Sequence, residues 1–161
     1  MDNYQRIQIS GSVQEKVANP AALGLFGLAM VTLVASSQKL GITSGTPLVL
    51  LWAIFLGALA QLIAGWLEFK HDNTFGATAF CAYGLFWLGT SLSWMVQLGM
   101  LGSTALAKAD PHQLGFAFLG YFIFTMYMTV GAMGTNKVLF FIFVFIDLLF
   151  LGLFMHTLGW G

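Results

Sequence analysis

The 161 residues are 58% hydrophobic and only 7% charged, and six Lys and Arg balance six Asp and Glu. Soluble domains carry about a quarter charged residues, so the chain lacks the polar surface that a water-soluble enzyme needs. A zero net charge without clustered cations also excludes a nucleic-acid binder.

Residues 1–19 are polar and mixed in charge, with no apolar core ahead of a small-residue cleavage site, so they read as a cytoplasmic tail rather than a signal peptide. Beyond them no charge lies between Lys39 and Glu68, between Asp72 and Lys108, or between Asp110 and Lys137. Each gap exceeds the ~20 residues with which a helix crosses a bilayer. The apolar runs are long and continuous, without the short alternating segments of a membrane barrel, and helices satisfy their own backbone groups in lipid. The predicted fold is therefore all-α, a polytopic transmembrane helical bundle with five spans in one transport domain over residues 20–161. The predicted spans are Ala21 to Ser37, Pro47 to Phe69, Thr78 to Leu101, Leu114 to Gly134 and Val138 to Leu158. Short connections make neighbours antiparallel. Arg6, Lys16, Lys70 and Lys137 fall on one side and Lys39 and Lys108 on the other, which predicts a cytoplasmic N-terminus in the plasma (inner) membrane.

The second span repeats small residues at Ala53, Gly57 and Gly65, with Ala60 and Ala64 beside them, a spacing that lets helix backbones approach closely. Gln61 sits on that small face near mid-span, where an amide turned to lipid is costly. It must bond another helix or line a wet passage. The third span holds Phe80, Tyr83, Trp87 and Trp94. The two Trp fit lipid-facing or interfacial anchors, whereas Tyr83 lies too deep for one and is expected to turn inward to a partner. Tyr121, Thr125 and Thr129 form a hydroxyl stripe on the fourth span, able either to bond its own carbonyls or to line a path. Asp147 is the one acid deep within a span. Burying its charge costs about 2.5–3.5 kcal/mol, so it is either a neutral acid bonded across helices or a proton-carrying group on a permeation path.

No HExxH, GxSxG, Walker sequence or metal cluster occurs, and Cys81 is the single cysteine, so neither an enzyme, a resident cofactor, a metal site nor an ATP-driven pump is expected. His71 and His112 fall in loops as solvated residues, and His156 near the end of the fifth span, within reach of the last carbonyls. A channel, a gradient-driven carrier and a membrane scaffold remain.

The stretch Asn19-Pro20-Ala21-Ala22-Leu23-Gly24-Leu25 resembles the NPAPLGL signature of the acetate uptake transporter family. Further matches are Ala60-Gln61 through Gly65, Glu68-Phe69-Lys70, Asn73-Thr74-Phe75-Gly76, Thr78 through Gly84, Phe86-Trp87 and Gly134-Thr135. Pro20 loses no helical hydrogen bond at a helix mouth, and Asn19 before it can cap a helix start whose free amides suit a carboxylate. The resemblance implies six-helix protomers in a ring of six (a homo-hexamer), each with a path for acetate and small carboxylates, succinate included, coupled to protons or behaving as an anion channel. It places the narrowest point at Leu28, Tyr83 and Ile146, with Leu28 where relatives carry an aromatic and Ile146 where Leu is usual. Ala22 replaces the second proline of the signature. The chain stops where the sixth helix would begin, so a shortened form that does not transport by itself is also expected.

The reading is transport of acetate and similar monocarboxylates across the lipid bilayer, with Asn19, Pro20, Leu28, Gln61, Tyr83 and Ile146 along the path and Asp147 as the proton-coupling candidate. The alternatives are a neutral-solute channel for ammonia or an amide, and a nontransporting truncated scaffold.

Overall fold

The computed structural model describes residues 18–160, so the polar tail proposed for residues 1–19 lies almost wholly outside them. The described residues form six helices and no strand: α1 (Ala21–Lys39), α2 (Pro47–Lys70), α3 (Thr74–Gln97), the short α4 (Ser103–Lys108), α5 (His112–Ala132) and α6 (Lys137–Thr157). All but α4 are long and apolar enough to cross a membrane. The chain is an integral membrane protein, with five candidate spans among the described residues.

Span 3 begins at Thr74, four residues before the predicted Thr78. The cause is a cap: the Asn73 Oδ1 accepts from the Gly76 amide at 3.0 Å, so the helix starts while the sequence is still polar. The same device starts α6, where the Asn136 Oδ1 accepts from the Leu139 amide at 2.8 Å. At α1 the Asn19 Oδ1 accepts from the Ala21 amide at 3.0 Å. The third connection, predicted as a loop, contains α4, which Lys108 closes. Before α5, Asp110 accepts from both the amide and the imidazole Nδ1 of His112, at 3.0 and 2.8 Å, and these bonds hold its carboxyl below the usual carboxylate range.

α2 is not uniform. Residues Ala53–Ala60 are wound as a π-helix between α-helical ends, a form that is rare beyond single turns. This stretch carries the small residues that pack α2 between α1 and α3. A Cβ on Gly57 would stand 2.7 Å from Cγ of Trp87, and one on Gly65 would stand 2.5 Å from the Cys81 Sγ and 2.9 Å from the Cys81 amide nitrogen. Neither position admits a side chain. Trp87 therefore lies over Gly57 and is 7% exposed, a core residue instead of the expected membrane anchor. Trp94 packs edge-on against it at 6.4 Å.

α5 and α6 form an antiparallel hairpin in extensive contact along its length. It meets α3 through aromatic rings. Phe86 of α3 stands edge-on to Tyr121 of α5 and Phe150 of α6, at 5.0 and 4.9 Å, the geometry that aromatic quadrupoles favour. The outer faces expose Leu33, Trp66, Phe145 and other large apolar side chains, as helices surrounded by lipid do.

The two faces of α2 predict opposite responses to substitution. Gly65→Leu must push α3 away and should destabilise the purified protein by about 1–3 kcal/mol or more. Trp66→Leu, on the exposed face, should stay within about 0.5 kcal/mol of the parent. Thermal unfolding in detergent measures both.

Candidate functional site

A cavity of about 490 Å³ lies among α1, α2, α3 and α6. Each helix lines it with a stripe two turns long: Ala21, Leu25 and Leu28 on α1, Gln61 and Glu68 on α2, Gly76, Ala79 and Tyr83 on α3, and Leu139, Ile142 and Ile146 on α6. Spacings of three, four and seven residues put such positions on one helix face, and seven residues span about 10 Å. α1, α3 and α6 run in the same direction, because they are the first, third and fifth spans. Their starts share one end of the cavity with Glu68, near the end of the opposed α2. Leu28, Gln61, Tyr83 and Ile146 mark the other end, beyond which no lining residue lies on these helices. Four predicted path residues thus form one layer.

The mouth joins the starts of three helices, two of them capped by Asn, and Asn73, Asn136 and Lys137 line it. The free amides of the first turn and the helix dipole make each start attractive to an anion, and Lys137 adds a full positive charge. Asn19 does not line the cavity and is exposed at the start of α1, while Pro20 is buried. The Pro20 carbonyl accepts from the amides of Leu23 and Gly24 at 3.0 and 3.3 Å, which starts the helix. The Ala18 carbonyl, just before them, pairs with the His71 Nε2 at 3.1 Å. Since a carbonyl can only accept, His71 donates, and the bond ties the start of α1 to the α2–α3 turn.

That turn is tight. Asp72 takes a left-handed φ of 56°, a conformation that Asp tolerates better than most residues. The Asn73 amide returns to the Glu68 carbonyl at 3.1 Å, and the Asn73 Nδ2 donates to the Glu68 Oε2 at 2.6 Å. Glu68 is 2% exposed, and its Oε1 has no hydrogen-bond partner among the described residues. Sequence reasoning quoted Glu68 within a motif and missed it as a site residue. The available signal was its position seven residues after Gln61, on the same face of a helix whose only other charge is the terminal Lys70.

Gln61 is fully buried, and its Nε2 donates to the Gly57 carbonyl one turn back at 2.8 Å. It therefore makes no bond to another helix. Because the Gly57 carbonyl can only accept, the amide orientation is fixed, and the Gln61 Oε1 is left without a partner among the described residues. Tyr83 reaches α5, as its depth predicted, with its hydroxyl 2.9 Å from the Thr125 Oγ1. Thr125 spends its only proton on the Tyr121 carbonyl at 2.7 Å, so Tyr83 is the donor. The hydroxyl stripe of α5 thus bonds largely to its own helix, and Tyr121 crosses to the Ala82 carbonyl of α3 at 3.0 Å.

Asp147 does not line the cavity. It faces α5, and its Oδ2 lies 2.6 Å from the Thr129 Oγ1, which is also 3.0 Å from the Thr125 carbonyl. The single Thr129 proton cannot serve both acceptors. When Asp147 carries a proton, it donates to Thr129 and Thr129 donates onward, so both bonds are made. The Asp147 Oδ1 has no partner among the described residues.

Tyr83→Phe removes one hydroxyl while Thr125 keeps its backbone bond, for an expected cost near 0.6 kcal/mol. Thr125→Val instead strands the Tyr83 hydroxyl and should cost more, about 1–3 kcal/mol. Thermal unfolding of the two variants in detergent gives this order, and the reverse order would contradict the assigned donor.

Residues 4–159 match the GPR1/FUN34/yaaH family. The chain is 38% identical over 136 residues to the succinate-acetate/proton symporter SatP of Escherichia coli (strain K12), covering 84% of this chain and 70% of that protein. It is 39% identical over 140 residues to ammonia transport outward protein 2 of Saccharomyces cerevisiae, covering 84% of this chain and 49% of that protein. The solved structure of the bacterial acetate channel SatP superposes with a TM-score of 0.75 at 34% identity, over 89% of this chain and 76% of that one. With its motifs, its helices and nearly its full length in agreement, the chain belongs to the GPR1/FUN34/yaaH family.

Proposed function

We propose that this protein moves acetate and similar small monocarboxylates, with succinate as a further substrate, through the cavity between α1, α2, α3 and α6. The observation that carries this reading is the polarity of the cavity from end to end. Three helix starts and Lys137 attract a carboxylate at the mouth, and an apolar layer of Leu28 and Ile146, with the rings of Tyr83 and Phe143, receives a methyl group farther in. Two relatives carry names that fit: the Escherichia coli protein is called a succinate-acetate/proton symporter, and the solved structure is described as an acetate channel.

The layer of Leu28, Gln61, Tyr83 and Ile146 sets which solutes pass, with Asn19 and Pro20 building the mouth by starting α1. Asp147, held by Thr129 outside the cavity, is a proton-coupling group that reaches the path through α5 and not by contact with solute. The protein lies in the plasma membrane with its N-terminus cytoplasmic, in the sense given by Arg6, Lys16, Lys70 and Lys137. The mouth then faces the cytoplasm. The assembly is a ring of six, as the family resemblance implies, and no enzymatic activity accompanies transport.

A second reading is a channel for ammonia or an amide. The unpartnered Oε1 of Gln61, a cavity-lining residue, favours a solute with an N–H or O–H to donate, and one relative is named an ammonia transport outward protein.

Proteoliposomes loaded with this chain should take up labelled acetate faster than empty ones, and an inward proton gradient should strengthen uptake. Leu28→Trp should reduce it about tenfold, equivalent to ~1.4 kcal/mol at the barrier. Uptake of labelled methylammonium that acetate does not compete with would favour the second reading. Uptake of neither solute would overturn both.

A further inference from the structure

The unpaired polar atoms of the cavity have the wrong sense for an anion. The Gln61 Oε1 can only accept a hydrogen bond, and so can an ionised Glu68 through its Oε1. Both residues line the cavity, both are at least 98% buried, and neither oxygen has a partner among the described residues. A carboxylate anion also brings only acceptors. It would meet two acceptor oxygens and then an apolar layer, where an unpaired charge is expensive. A neutral carboxylic acid brings one O–H donor and no charge.

Resting on the proposed carriage of monocarboxylates, we infer that Glu68 is a proton-exchange site at the mouth and that the solute crosses the Leu28–Tyr83–Ile146 layer as the neutral acid, its O–H donated to the Gln61 Oε1. In the inward-going sense from the mouth, protonated Glu68 donates from Oε1 to the arriving carboxylate. The O–H bond to Glu68 breaks as the O–H bond to the solute forms, leaving a Glu68 carboxylate and a neutral acid. Glu68 regains its proton from hydronium at the mouth. In the opposite sense, Glu68 takes the proton from the arriving acid and passes it to water, and the anion leaves. One proton moves with each solute either way.

The surroundings of Glu68 suit this exchange. Asn73 holds Oε2 by its amide at 2.6 Å, which fixes the carboxyl and leaves Oε1 for the solute. Lys137 at the start of α6 lines the same cavity and is the cation facing it from that helix. Lys70, His71 and Asp72 stand exposed in and beside the turn that follows Glu68, and Tyr83 lies two turns deeper on α3. The lining stretch of α1 has no titratable group.

The test measures exchange of labelled acetate across proteoliposome membranes at equal pH on both sides, through a pH series, for the full chain and its variants. Without proton exchange at the mouth, only free acid from bulk water enters. Its exchange rate must then fall about tenfold for each pH unit above the acid's own pKa. The parent protein should show a clearly shallower fall. Glu68→Gln should show the full tenfold slope, and Glu68→Asp should restore a shallow one. Asn73→Asp keeps the helix cap but makes Glu68 share its proton, and should steepen the slope also if Glu68→Gln does not fold. Equal slopes in the parent and the folded Glu68 and Asn73 variants would overturn the inference, as would a slope that steepens in Asp147→Asn but not in Glu68→Gln.

Infrared difference spectroscopy of the purified protein supplies an answer that does not need transport. Adding acetate should change a carboxylic-acid carbonyl band that Glu68→Gln lacks. A band that survives Glu68→Gln, or no acetate-induced band, contradicts the site. Absence of acetate exchange in the parent with the Glu68 band present would instead count against the transport reading, leaving Glu68 as a carboxylate-binding acid.

Discussion

The seam of small residues on α2 sets the position of everything else in the cavity. Gly57 accepts the face of Trp87, and Gly65 accepts Cys81 with its backbone, so α2 is held at a distance from α3 that larger residues would forbid. In lipid, where apolar burial does not draw helices together, such close van der Waals contact is the main source of association. The seam also fixes rotation about the helix axis. With Gly57 and Gly65 committed to α3, Gln61 and Glu68, three or four residues from them, are held on the inner side of α2 that lines the cavity. The polar chemistry of the cavity follows from where two glycines have to point.

A second consequence of helical packing concerns direction. Because α1, α3 and α6 are alternate spans of an antiparallel bundle, their starts meet at one end without any special connection. An Asn at the start of α3 and α6, and one residue before the start of α1, satisfies an early amide, leaving other first-turn amides oriented along the path. The positive character of the mouth is therefore mostly backbone in origin. Lys137 adds to it, but the chain needs few cations to attract an anion.

Much of this was readable from residue order alone. Long apolar runs nearly free of charge gave the five spans, because a bilayer tolerates little else, and the depth of Tyr83 gave its inward turn and its need for a hydroxyl partner. The layer of Leu28, Tyr83 and Ile146 came from family resemblance, and Gln61 from its place on the small-residue face. What escaped depended on contacts distant in sequence or on backbone detail. Trp87 was expected to face lipid or an interface because that is the common use of Trp, and only the missing side chain at Gly57 makes room to bury it. The early start of α3 rested on the Asn73 cap, a signal that hydropathy cannot register. Glu68 looked like the polar end of a span, since its burial arises from the turn at Asp72 and Asn73 folding back over it. Asp147 stood out in sequence as a deep acid, yet which neighbour it faces is set by the rotation of α6 against α5.

The π-wound stretch at Ala53–Ala60 makes α2 a rod of two phases. Wider winding takes more residues per turn, so the parts of α2 before and after it are offset in rotation from one continuous α-helix. Gln61, the first residue after the stretch, inherits that offset. Rewinding these residues as α-helix would swing Gln61 and Glu68 around the axis together, because both lie on the same α-helical segment. The pair of acceptor oxygens is thus mounted on a single rigid turntable, and its angular setting is stored in eight residues that never touch the solute path.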